Sequence, residues 1–206
     1  MMRFVFKVVL LGSPAVGKTS LVIRFIQDRF KDEYITTLGA DFLIKEVIFE
    51  ELNIKVKLLI WDLGAQKRWA DIRPTYLVGT DGAIIVFDLT RKRTFEEISE
   101  WLDDLNKYSH ADEKVPYILV GNKNDLEEFE LREVTKNAID DYLSKNTVHY
   151  LSTSAKSGEN VEKMFRVITL EILKQKADLE RKRQYLKKNL SKIMDILDIS
   201  DEIRED

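Results

Sequence analysis

Gly12-Ser13-Pro14-Ala15-Val16-Gly17-Lys18-Thr19 stands between the apolar run Phe4–Leu11 and the segment Lys18–Asp28. In that segment Leu21, Val22, Phe25 and Ile26 recur at helical spacing. The octapeptide matches the pattern G-x-x-x-x-G-K-S/T, a loop that curls so that consecutive backbone N–H groups face phosphate oxygens. Glycines permit the curl, a lysine (here Lys18) reaches the β- and γ-phosphates, and a hydroxyl (here Thr19) can ligate Mg²⁺. The bland alternative is a Gly-rich turn with no ligand. The strand before and the helix after are the context that the chemistry needs, so Ser13, Pro14, Ala15, Val16, Gly17, Lys18, Thr19 and Ser20 are read as a phosphate cradle.

Outward from the loop, strands and helices alternate. Asp41–Phe49 and Ile54–Asp62 read as strands of a hairpin, and Ala83–Leu89 and Val115–Val120 as buried strands. His149–Ser152 reads as a short last strand. Phe95–Leu105, Val134–Leu143 and Val161–Leu173 have helical spacing. Apolar strands separated by amphipathic helices predict right-handed crossovers and a mostly parallel sheet covered on both faces. Ligands of such sheets bind at the carboxyl ends of the strands, so the residues just past each strand are the informative ones.

Composition narrows the class. The 206 residues are 44% hydrophobic and 33% charged, with few Pro and Gly, which suits one globular domain with an appendage. Zero Cys excludes disulfides, thiolate metal sites, cysteine nucleophiles and a prenylated or palmitoylated anchor within this sequence. The two His, His110 and His149, are far apart, which leaves little for a zinc enzyme. A net charge of −3 argues against nucleic acid as a partner. No run approaches a membrane span, and Phe4–Leu11 carries Lys7 and flows into the loop, unlike a signal peptide. The expectation is a soluble, cytoplasmic protein with at most peripheral membrane contact.

After the third buried strand comes Gly121-Asn122-Lys123-Asn124-Asp125. Taken alone it is an ordinary polar turn. A carboxylate at Asp125 can accept the N–H donors of guanine N1 and N2, and adenine would leave it unpaired. After the last strand, Ser154-Ala155-Lys156 offers a backbone N–H to guanine O6, and Lys123 and Lys156 offer aliphatic stems to flank the ring. Downstream of a phosphate loop and at strand ends, the guanine reading prevails over an adenine-specific kinase or ATPase.

Gly12–Thr19, Trp61-Asp62, Asn122–Asp125 and Ser154–Lys156, in this order and spacing, resemble the Ras-superfamily small GTPases over residues 3–175. Thr37–Phe42, Lys57–Asp62 and Ser152–Val161 look most like the Rab branch. The resemblance implies a P-loop NTPase three-layer α/β sandwich. Its sheet would be six-stranded and mostly parallel, with Asp41–Phe49 antiparallel, and a GDP/GTP switch would ride on it. It further implies that Thr37 and Asp62 join Thr19 around Mg²⁺, and that Gln66 orients the attacking water. Phe30 would stack on guanine, and Tyr34 and Ala65 would line the nucleotide. Phe42, Trp61 and Tyr76 match the aromatic trio by which Rab proteins read effectors. Trp69, in a polar stretch beside Lys67 and Arg68, adds an anchor for a partner, whereas Trp101 has core spacing. Exchange-factor, GTPase-activating and effector proteins are the partners this resemblance implies.

Two departures bear on turnover. Asp62-Leu63-Gly64-Ala65-Gln66 has an Arf-like order, as does Ile72-Arg73-Pro74, and places Ala where the family has a flexible Gly that meets the γ-phosphate. Alanine keeps the N–H but resists positive φ. Pro14 lacks an N–H where side chains crowd the glutamine. With no arginine in cis evident among the motifs, slow intrinsic hydrolysis is expected. A constitutively nucleotide-bound scaffold is the alternative.

Beyond Leu173 the pattern changes, which divides the chain into a small GTPase domain over 1–175 and a charged amphipathic helical tail over 176–206. Leu179, Leu186, Leu190, Ile193 and Leu197 form one apolar seam. Arg181, Lys182, Arg183, Lys187, Lys188 and Lys192 fall in a stretch without acids, and an acid-rich stretch comes after it. A helix from Glu159 to Met194 would be about 54 Å long, so it projects or folds back. A solvated helix, a partner-binding helix and a basic face on anionic lipid all remain open.

Overall fold

The computed structural model describes residues 1–27, 40–64, 71–111, 114–129 and 131–176, together with 189, 192, 193 and 195. Strand β1, Met2–Leu11, begins two residues earlier than its apolar run, because Met2 pairs with Ile54. The other strands are β2 (Ala40–Phe49), β3 (Ile54–Leu63), β4 (Gly82–Asp88), β5 (Tyr117–Asn122) and β6 (His149–Thr153). The sheet order is β2-β3-β1-β4-β5-β6, antiparallel between β2 and β3 and parallel elsewhere. The order steps outward from β1 in both directions, so β1 and β4 part at the switch point. The phosphate loop emerges there.

Helices sandwich the sheet. Phe4, Phe6, Val8 and Leu10 of β1 pack toward α1 (Lys18–Gln27) and, as the last helix, α6 (Val161–Lys176). Val9 and Leu11 pack toward the other face. That face carries α2 (Arg73–Leu77), α3 (Lys92–Glu96), α4 (Ile98–Tyr108) and α5 (Lys136–Lys145). β4 is buried at every residue, as a central parallel strand must be. Thr135 caps α5 by accepting the Ala138 N–H at 3.2 Å. Val134 and Ile139, on either side of that cap, are both buried as a hydrophobic staple. Hence the helix starts after Val134, two residues later than the periodicity predicts.

The single helix expected over Phe95–Leu105 is two, α3 and α4, meeting at Glu97 (φ −79°, ψ 0°). Apolar spacing runs on across the break, so periodicity does not reveal it. Trp101 is core, 8% exposed, as its spacing predicts. The short helix α2 has no counterpart in the sequence pattern; it carries Pro74 in its first turn, where a missing N–H costs nothing. The segment Asn124–Phe129, which begins within the turn-like Asn122–Asp125, forms a 3-10 helix.

Candidate nucleotide site

The loop between β1 and α1 is held by residues that admit no side chain. A Cβ on Gly12 (φ +142°) would lie 2.0 Å from the Val86 carbonyl oxygen, and one on Gly17 (φ +98°) 2.2 Å from Asn122 Nδ2. Between them Ala15 takes φ +59°, a left-handed conformation unusual for alanine. Lys18 is 7% exposed, and its Nζ donates to the carbonyls of Gly12 (2.8 Å) and Ser13 (3.2 Å). Burial drives its pKa down to about 8; Asp62 opposes this, and Arg73 and Arg91 add to it. The carboxylates near the loop are each engaged, Asp88 by Arg91, Asp104 by Arg73 and Glu97 by Ser13.

Thr19 is the second residue of α1, and Asp62, 1% exposed, is the last but one of β3. The Thr19 hydroxyl donates to Asp62 Oδ2, so two hard oxygens from different elements converge. That donor set fits Mg²⁺, which takes one carboxylate plus ligand oxygens and waters rather than a protein cage. Among the described residues no cluster of three or more His, Cys, Asp or Glu offers such a cage.

Asn122 joins the two halves of the site. Its Nδ2 donates to the Val16 carbonyl at 2.8 Å, and its Oδ1 accepts from the Ala155 N–H and the Thr153 hydroxyl, each at 3.2 Å. Phosphate loop and base loops are thereby fixed to one side chain, itself 2% exposed. The Ser154 hydroxyl donates to Asp125 Oδ1 at 2.6 Å and orients that carboxylate. Lys156 is exposed beside them.

Further residues, which motif reading missed, brace this arrangement. Asp88, fully buried at the end of β4, accepts Lys123 Nζ at 2.6 Å and Arg91 Nε at 2.8 Å. Burial raises its pKa, but the bonds from Lys123, Thr90 and Arg91 outweigh that and hold it below the usual carboxylate range. Arg91 in turn donates to the Pro14 carbonyl at 2.9 Å. Arg24 of α1 donates from Nε to the Ala155 carbonyl at 2.9 Å and from its terminal nitrogen to that of Lys156. Glu97, at the α3–α4 break, accepts from the Ser13 hydroxyl and from Arg93 at 2.7 Å. Asp88 was findable, since a lone acid at the carboxyl end of an all-apolar strand is the signal sought after every other strand.

Arg73 and Arg91 line one cavity with Ser13 and Pro14. Both are engaged: Arg91 as above, and Arg73 by Asp104 at 2.6 Å and by the Trp101 ring at 4.4 Å.

Phe42, Trp61 and Tyr76 form a continuous aromatic surface, with successive ring centroids 5.0 and 5.7 Å apart. Register explains it: Phe42 lies opposite Trp61 in the β2–β3 ladder, and Tyr76 approaches from α2. Phe42 is 44% exposed. Phe30, Tyr34, Thr37, Ala65, Gln66 and Trp69 lie outside the described residues.

A family model described as Ras family matches residues 7–174. The chain is 39% identical over 183 residues to "GTP-binding protein YPTM1" of Zea mays, covering 87% of this chain and 85% of that one. It is 42% identical over 163 residues to the human "Ras-related protein Rab-30", covering 79% and 77%. With "GTP-binding protein ypt3" of Schizosaccharomyces pombe it shares 35% over 171 residues, covering 83% and 77%. With a buried phosphate-loop lysine and base loops tied to the same asparagine, this chain belongs to the Ras family as a Rab-like small GTPase.

Proposed function

We propose that this chain binds GDP and GTP with Mg²⁺, hydrolyses GTP slowly and recruits effector proteins in its GTP form. The observation that carries the reading is Asn122, whose amide holds Val16 on one side and Ala155 on the other. It supports one ligand spanning both loops, phosphates over Gly12–Thr19 and a guanine between Asp125 and Ala155. Competition of ATP against labelled GTP tests it: a large molar excess of ATP leaves GTP bound, and displacement by ATP refutes it.

In the proposed chemistry, water attacks the γ-phosphate in line with the departing β-phosphate oxygen. Gln66 orients that water, and Lys18 takes up charge on the transferring group. Thr19, Thr37 and Asp62 would hold Mg²⁺, which would supply neutralisation of phosphate charge when bound. Arg91 and Arg73 are occupied by Asp88 and Asp104. Fast hydrolysis would therefore call for an arginine from a partner. The Phe42–Trp61–Tyr76 surface suits an effector, and Trp69 would extend it. The small GTPase domain spans 1–175. A second reading, a scaffold that holds nucleotide without switching, draws on Pro14, whose carbonyl Arg91 fixes, and on Ala65. Phosphate release over several turnovers with an exchange step separates the two.

Arg24 supplies a quieter test. Its bonds to the base loop go to backbone carbonyls, at Ala155 and Lys156. Losing charge-assisted bonds of this kind costs on the order of 1.5–3 kcal/mol. Arg24→Ala should release a fluorescent GDP analogue at least about tenfold faster in stopped flow. Arg24→Lys should recover part of the loss.

A further inference from the structure

Ile193 lies well past Lys176, the last residue of α6, yet it is 0% exposed and belongs to the same hydrophobic cluster as Phe4, Phe6 and Leu173. Its N–H donates to the Asn189 carbonyl at 3.0 Å, the bond of a helical turn. Lys192 and Asp195 of that turn are exposed. One apolar side chain is thus buried by a turn whose polar neighbours face water.

Where α6 ends is equally informative. Lys176 Nζ pairs with Asp81 Oδ1 at 2.6 Å and lies 5.7 Å over the Phe6 ring. At the same end of the sheet the Met2 N–H donates to the Asn53 carbonyl at 2.9 Å. This is the pole of the parallel strands' amino ends, opposite the phosphate loop. A straight continuation of α6 would carry Ile193 about 25 Å past Lys176 and out of reach of the cluster. Burial in the cluster excludes a helix that simply projects into solvent.

We propose that the turn around Ile193 is the built-in occupant of this apolar face: the chain docks its own tail onto the cluster that β1 shares with α1 and α6, with Ile193 as the anchor. The seam residues Leu190 and Leu197 lie outside the described residues; in sequence they stand three before and four after Ile193, the spacing of an apolar helical seam. Docking consumes the seam that would otherwise serve a second helix or an apolar membrane phase. This proposal is independent of which nucleotide the opposite pole takes.

Hydrogen exchange on the full chain, with mass-spectrometric readout, tests it. Peptides covering 189–197 should exchange at least about tenfold slower than an unstructured chain at every protein concentration. Ile193→Ala should abolish that protection and lower Tm by about 5 °C, and Ile193→Leu should restore both. Random-coil exchange in the unmodified chain overturns the proposal. So does protection that appears only as the chain dimerises, which makes a second copy the occupant. Protection that appears only with vesicles containing phosphatidylserine overturns it as well, in favour of a bilayer.

Discussion

Asp125→Asn should lower GTP affinity by about 10²–10³-fold while raising affinity for xanthosine triphosphate, as the energetics of a broken charge-assisted pair require. The carboxylate at 125 presents acceptors alone, matched to the two N–H donors of guanine's N1 and N2. Asparagine keeps one acceptor and turns an NH₂ toward the N2 amine, donor against donor. Xanthine carries a carbonyl at that position and pairs with the NH₂ instead. A buried charge-assisted pair broken in this way costs about 3–4 kcal/mol, which is the affinity change expected. Ser154, whose hydroxyl holds Asp125 Oδ1 at 2.6 Å, keeps the side chain in place in the variant. Titration calorimetry with both nucleotides reads the exchange of preference. Undiminished selection of GTP over the xanthine nucleotide would remove Asp125 from the base site.

The second large effect concerns hydrolysis. Gln66→Leu should abolish the acceleration given by an arginine-supplying partner, about 10³–10⁵-fold, and leave GTP affinity within about twofold. Leucine fills a similar volume but neither donates to nor accepts from the attacking water. Binding rests on the phosphate and base loops, which Gln66 does not build, so affinity and turnover separate cleanly. Single-turnover phosphate release, measured with and without an activating protein of the Rab type, supplies the rates, and calorimetry the affinity. A stimulated rate equal to that of the unmodified chain would show that the water is oriented by another group.

Legibility in the sequence depended on how each residue makes its contacts. Gly12 and Gly17 were legible because no other residue fits: the Val86 carbonyl and the Asn122 amide occupy the space of a side chain. Asn122 and Asp125 were legible from the base they would face and from the strand before them. Arg24 was not, because its partners are the main-chain carbonyls of Ala155 and Lys156, which leave no residue-type pattern. Arg91 was hidden in Arg91-Lys92-Arg93, which reads as a solvated run; only the fold turns its guanidinium to Asp88 and Pro14. The α3–α4 break escaped because apolar spacing continues across Glu97, whose side chain reaches a hydroxyl far away in sequence, Ser13. An apolar seam in the tail reads the same whether it meets a second helix or its own domain. Only the fold places Ile193.

Trp61 stands next to Asp62, with Phe42 and Tyr76 against its ring and the Lys7 ammonium 4.9 Å above it. An indole clasped between a charge and two rings emits according to how they sit, and α2, which carries Tyr76, comes a few residues after Gln66 in the chain. In a background with Trp69 and Trp101 replaced by Phe, the chain's own ultraviolet emission becomes a label-free optical signal. On the proposed function, exchange and hydrolysis are expected to change that emission, with no dye attached to nucleotide or protein.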